Sequence, residues 1–127
     1  MERVTGIGGM FFRAKDPEAL ARWYADCLGV DPAPEVEGVP HWWQEAGPTV
    51  FAPFPADSDE IGPPQHSWMV NFRVRDIDAM LAQLLAAGAQ VDDRVEDYSY
   101  GRFATAVDPE GNRIQLWEPS AEELRVR

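Results

Sequence analysis

The stretch Phe11-Phe12-Arg13-Ala14-Lys15-Asp16 returns sixty residues later as Asn71-Phe72-Arg73-Val74-Arg75-Asp76, and this repeat decides the fold. Each copy is an alternating run that ends in Asp. Behind the first Asp lie Leu20, Trp23, Tyr24, Cys27 and Leu28, and behind the second lie Ile77, Met80, Leu81, Leu84 and Leu85. Spacings of three and four gather these side chains on one helical face, so each Asp opens a helix. Asp16 and Asp76 are natural N-caps, because a short carboxylate accepts from the free amides of the first turn. Pro17 suits the first helical position, and Gly29 and Gly88 are the expected stops.

Strand-like pieces follow each helix, at about 33–37, 41–46 and 49–54 in the first half and 90–95, 102–107 and 113–117 in the second. Gly47-Pro48 and Asp108-Pro109-Glu110-Gly111 supply the turn before the last strand of each half. Each half therefore reads β-α-β-β-β, which makes the fold class α+β. The expected organisation is a single domain over residues 1–127: module 1 at about 5–54, a proline-rich connector at 55–66, module 2 at about 67–119 and a tail at 120–127. Ser120 and Glu123 form a capping box that would open one helical turn in the tail.

Composition bounds the rest. A chain of 127 residues with 45% hydrophobic and 26% charged side chains is long enough to bury a core without cross-links. Its single Cys27 offers neither an intrachain disulfide nor a thiolate metal cluster, which fits a reducing, cytoplasmic setting. The N-terminal run has charges on both sides of a short apolar stretch, unlike a secretory signal or a membrane span. A formal net charge of −11 argues against nucleic acid as a partner. No Lys or Arg occurs between Arg22 and Arg73. That interval is read either as a solubilising face or as a field that attracts a cationic small molecule.

Paired βαβββ modules, together with Asp16-Pro17-Glu18, Trp23-Tyr24, Leu28-Gly29 and above all Asp108-Pro109-Glu110-Gly111-Asn112-Arg113-Ile114-Gln115-Leu116-Trp117-Glu118-Pro119, resemble the glyoxalase/bleomycin-resistance/dioxygenase group. This group is also called the vicinal oxygen chelate superfamily. The resemblance covers nearly the whole chain. It implies curved mixed sheets around a cavity, helices on the outer face, a small-molecule ligand and a homodimer, side by side or domain-swapped. Reaction type does not follow from the scaffold, since the group includes isomerases, lyases, dioxygenases and non-catalytic drug-binding proteins.

Strand alternation then sorts side chains between helix and cavity. Phe11 and Arg13 face the cavity from the first strand, Met69, Asn71 and Arg73 from its counterpart, Phe51 from the last strand of module 1, and Arg113, Gln115 and Trp117 from the last strand of module 2. Alternation leaves the facing of the middle strands open. Trp43 is added as a stacking residue, and Tyr100, beside Tyr98, as a residue that could close the cavity mouth. Trp42 and Trp68 are further stacking candidates, while Trp23 belongs to the core.

The resemblance also places the group's metal-binding positions, which here are Gly9, Phe51, Met69 and Gln115. Only Gln115 carries an oxygen suited to a hard divalent ion, so no metal and no other cofactor are expected. A displaced set drawn from His41, His66, Glu45 and Glu118 is the competing possibility. Cys27 reads as a buried structural thiol, Gly6-Ile7-Gly8-Gly9 precedes a strand and makes no phosphate loop, and Asp92, Asp93, Glu96 and Asp97 read as a solvated acidic edge. No catalytic residue is assigned. Arg13 and Arg73, equivalent in the repeat, are expected either in internal salt bridges with Glu45 or Glu118 or on an anionic ligand. The leading expectation is a metal-independent binding protein that sequesters a bulky, partly aromatic compound. The alternatives are a lyase, isomerase or dioxygenase with altered metal ligands, and a protein-interaction module.

Overall fold

Asp16 and Asp76 do open helices, the carboxylate of each accepting from an amide of the first turn. The computed structural model describes residues 1–92 and 94–125. Its elements are α1 (Pro17–Leu28), β1 (Val70–Arg73), α2 (Ile77–Ala86), β2 (Gln90–Val91), β3 (Glu96–Tyr98), β4 (Gly101–Val107), β5 (Arg113–Pro119) and α3 (Ala121–Arg125). The Asp16 carboxylate accepts from Ala19 N at 3.1 Å and that of Asp76 from Ala79 N at 3.0 Å. Gly29 ends α1 at φ 73°, a left-handed conformation that costs glycine little. Glu118 adds a second acceptor at the start of α2, taking the Ile77 amide at 2.9 Å. In the tail, Glu123 N donates to Ser120 Oγ at 3.2 Å, the capped turn that the sequence anticipates.

The second half builds one five-stranded mixed sheet, not closed into a barrel, in the order β1-β5-β4-β2 with β3 also paired to β4. β1 lies parallel to β5 and the other pairs are antiparallel. Register puts Val70 beside Ile114 and Phe72 beside Leu116, with Ala106 and Ala104 as their next neighbours. These side chains form the helix-facing side. Ile77, Leu84 and Leu116 are 0% exposed and Ile114 is 1% exposed. Burial of such side chains stabilises by about 1.5–3 kcal/mol each. Cys27 joins this core from α1, with Trp23, Tyr24 and Leu28 packed beside it.

Module 1 differs from expectation below the level of fold class. Its helix forms, but the pieces at 33–37, 41–46 and 49–54, like the run before Asp16, are not strands. A strand needs a ladder partner, and Pro34, Pro48 and Pro53 each remove a backbone donor from that part of the chain. Side chains expected to line the cavity stay in solvent: Phe11 is 95%, Trp43 87% and Phe51 82% exposed. Alternation specifies faces, whereas pairing depends on a partner that the pattern does not name. Of the expected strand at 90–95, residues 90–91 pair with β4 and the chain resumes pairing at Glu96. Asp93, read as part of the acidic edge, lies outside the described residues.

Candidate functional site

The face of the sheet turned away from the helices is set by register. Arg73 of β1, Trp117 of β5 and Phe103 of β4 lie in one row, and Asn71, Gln115 and Thr105 in the next. Arg113 and Val107 form the third. Five of the expected residues, Asn71, Arg73, Arg113, Gln115 and Trp117, therefore share a face. Phe103 and Thr105 join them from a middle strand. Their facing follows from Ala104 and Ala106, whose small side chains sit 3% and 1% exposed on the helix side.

Trp117 is only 3% exposed. Its ring stacks on Phe103 at 5.7 Å and 7°, and its Nε1 donates to the Tyr100 carbonyl at 3.1 Å. Gly101 makes this possible: at φ 141°, a Cβ there would run into the Trp117 indole and the Glu118 carbonyl. Trp117 is thus a backing wall, and the more exposed rings at this end belong to Tyr98 and Tyr100.

The arginines take partners other than those expected. Arg73 donates to the carbonyls of Pro48 (2.7 Å) and Glu45 (2.6 Å) and to Thr49 Oγ1 (3.1 Å). Gly47 permits this approach, since its Cβ would lie 2.7 Å from Arg73 Nε. The Glu45 carboxylate goes to Arg75 instead, at 2.6 Å across a well-exposed pair. Arg113 donates to the carbonyls of Asp59 (3.3 Å) and Glu60 (3.0 Å). Both guanidiniums thus tether extended chain to the sheet. Arg13 is exposed and makes no hydrogen bond or ion pair among the described residues, so the expected pair of internal salt bridges with Glu45 or Glu118 does not form. Glu118 instead serves the α2 terminus.

Of the other expected residues, Phe11, Trp43 and Phe51 are exposed, Met69 is half-buried, and Tyr100 is 47% exposed. Trp42 and Trp68 also reach solvent. One open groove of about 310 Å³ runs between Glu45 and α2 and includes Arg73. Another, of about 690 Å³, lies between α1 and the Pro109–Gly111 turn.

A metal does not fit the positions that the resemblance supplies. Gly9, Phe51 and Met69 bring no oxygen or nitrogen donor from a side chain, and Gln115 Oε1 accepts from Asn71 Nδ2 at 2.8 Å. Among the described residues no three His, Cys, Asp or Glu side chains converge in a metal-binding group, so the displaced set of His41, His66, Glu45 and Glu118 is not assembled. Burial, with the Asp26 charge second, raises the Cys27 thiol above its ordinary pKa, as suits a structural cysteine.

The turn that carried the resemblance has a structural task. Asp108, 4% exposed, accepts from Glu110 N, Asn112 N, Asn112 Nδ2 and the Tyr24 hydroxyl at 2.7–3.0 Å. Glu110 in turn accepts from the amides of Lys15 and Asp16 at 2.6 and 2.9 Å. One short motif thereby fixes its own turn and seats the first helix. A family model for the glyoxalase-like domain matches residues 9–117.

The chain belongs to the glyoxalase-like domain family.

Solved structures share the fold. TnmS3, an antibiotic binding protein from Streptomyces sp. CB03234, is 25% identical, with a TM-score of 0.64 over 94% of this chain and 100% of that one. A glyoxylase/bleomycin resistance protein/dioxygenase domain from Frankia sp. EAN1pec shares the fold at 14% identity, TM-score 0.60, over 93% of this chain and 100% of that one. The Mycobacterium bovis protein CFP32, which carries a glyoxylase name, is 41% identical over 63 residues, 49% of this chain and 24% of its own length. This glyoxalase-like chain thus matches about a quarter of that relative. No helix among the described residues is long and apolar enough to cross a membrane.

Proposed function

We propose that this glyoxalase-like chain is a metal-independent small-molecule binding protein that sequesters a bulky, partly aromatic compound. The observation that carries the proposal is the Gln115–Asn71 hydrogen bond at 2.8 Å. At the one ligand position that retains an oxygen, a neutral amide satisfies a neighbouring side chain, and the remaining positions are Gly9, Phe51 and Met69. Such a set favours binding through shape, apolar contact and hydrogen bonds over Lewis-acid chemistry. The likeness to an antibiotic binding protein at 25% identity and TM-score 0.64 supports the same direction.

In this proposal the ligand lies against the sheet face that carries Asn71, Arg73, Arg113, Gln115 and Trp117, with Tyr100 at its end. Phe11, Arg13, Trp43, Phe51 and Met69 complete the enclosure. A second copy of the chain covers the exposed aromatics of module 1, making the binding unit a homodimer in the cytoplasm. Support for the dimer comes from the exposure of Phe11, Trp43 and Phe51, large rings that solvent disfavours. The partial match to CFP32 favours a second reading as a lyase or isomerase. Metal analysis of protein purified without chelators separates the two. Binding without metal predicts substoichiometric divalent ion, whereas one tightly held ion per chain would favour the enzyme.

A further inference from the structure

Tyr98 and Tyr100 form an offset stack, with ring centroids 5.3 Å apart and planes 4° from parallel. Both stay in solvent, 49% and 47% exposed. Each also meets Phe103 edge-on, at 5.8 and 5.6 Å, and Phe103 lies flat on the buried Trp117. The backbone beneath is fixed. Tyr98 is paired in the sheet, while the Tyr100 carbonyl accepts from Trp117 Nε1 at 3.1 Å and from Ser120 N at 3.2 Å. A preformed tyrosine pair loses little conformational freedom on binding, which makes it an effective contact for a flat ring.

The surrounding charges give the surface a sign. The Tyr98 hydroxyl donates to Glu96 at 2.7 Å. That bond, with the negative charges of Glu96 and Glu60, holds the Tyr98 phenol above the usual tyrosine pKa. Glu96 and Glu60 have no ion-pair partner among the described residues, whereas Arg102 is engaged by Asp78 and Asp97. Arg73 and Arg113 spend their donors on backbone carbonyls of the 45–49 and 59–60 segments. An anion at the Tyr98 ring would therefore meet the Glu96 carboxylate, while Arg73, Arg102 and Arg113 already have partners. A cation gains from that carboxylate and from the electron-rich ring faces.

We propose that the stacked Tyr98–Tyr100 pair is the contact surface for a planar aromatic cation, with Phe103 and Trp117 as its backing and Glu96 selecting its charge. This rests on the chain being a binder of aromatic compounds, and it adds the residues and the sign of charge.

Calorimetric titrations with proflavine, a planar cation, and anthraquinone-2-sulfonate, a planar anion, test it. Wild type is expected to bind proflavine more tightly than the sulfonate, and Tyr100→Leu to weaken proflavine roughly three- to tenfold. Glu96→Gln should narrow the preference for the cation, and Tyr98→Phe, which keeps the ring, should retain proflavine. Glu96 is exposed, so its variant keeps the test decisive should Tyr100→Leu fail to fold. Equal or tighter binding of the sulfonate overturns the charge assignment. Proflavine binding unaffected by Tyr100→Leu overturns the platform but leaves aromatic binding standing. Failure of both dyes to bind overturns the platform and the binding function together.

Discussion

The Tyr24 hydroxyl donates to the Asp108 carboxylate across 2.7 Å, joining the first helix to the turn before the last strand. Because Asp108 is 4% exposed and also serves Glu110 and Asn112, its loss strands several donors at once. Tyr24→Phe is expected to cost about 1–2 kcal/mol and Asp108→Ala about 3 kcal/mol, read from urea midpoints at unchanged slope. An Asp108→Ala variant as stable as wild type would remove the latch from the account.

The same bond predicts a response to alkali. Burial, then the hydrogen bond and charge of Asp108, raise the Tyr24 phenol above its usual pKa. The folded state therefore holds this proton more tightly than the unfolded chain. Its contribution is complete below the unfolded tyrosine value of about 10 and is lost as pH rises beyond it. Urea midpoints measured across that range should fall more steeply for wild type than for Tyr24→Phe. Parallel pH profiles would contradict the assignment.

Cys27 is 6% exposed, and burial raises its thiol pKa. A thiol reagent such as Ellman's should react with it at neutral pH only at the rate of opening of the fold, and within seconds in denaturant. The folded protein binds the thiol proton more tightly than the unfolded chain, so stability from this group also declines above about pH 8.5. Immediate labelling of native protein would show that α1 is not seated as described.

Sequence patterning carried the elements that depend on local signals. The Asp16 and Asp76 caps, the Gly29 stop and the Ser120 turn are written within four residues of where they act. Facing on β1 and β5 followed from clean alternation at Val70–Arg73 and Ile114–Trp117. β4 resisted because Ala104 and Ala106 are small on the helix side, so Phe103-Ala104-Thr105-Ala106 shows little contrast between its faces. Partners were harder still. The repeat located Arg73, but two of its acceptors are backbone carbonyls 25 and 28 residues upstream, which no side-chain pattern encodes. The burial of Trp117 depends on the missing Cβ of Gly101 on the neighbouring strand, a contact invisible along the chain.

The Arg73 tether makes its own prediction. With three acceptors at 2.6–3.1 Å and Gly47 closing onto the guanidinium, Arg73→Ala should release the 45–49 segment. Limited proteolysis is expected to cut there several-fold faster while the helix–sheet core stays protected. Gly47→Ala should act in the same direction by displacing the guanidinium. Unchanged cleavage in both variants would mean that the segment is held by other contacts.

Sequestration without a metal is tested most directly by calorimetric titration of a panel of aromatic antibiotics into the protein with and without EDTA, with each compound recovered and its mass determined afterwards. Stoichiometric binding that EDTA does not alter, and recovery of the compound unchanged, is the predicted result. Binding that disappears with EDTA, or a compound recovered chemically altered, would contradict it.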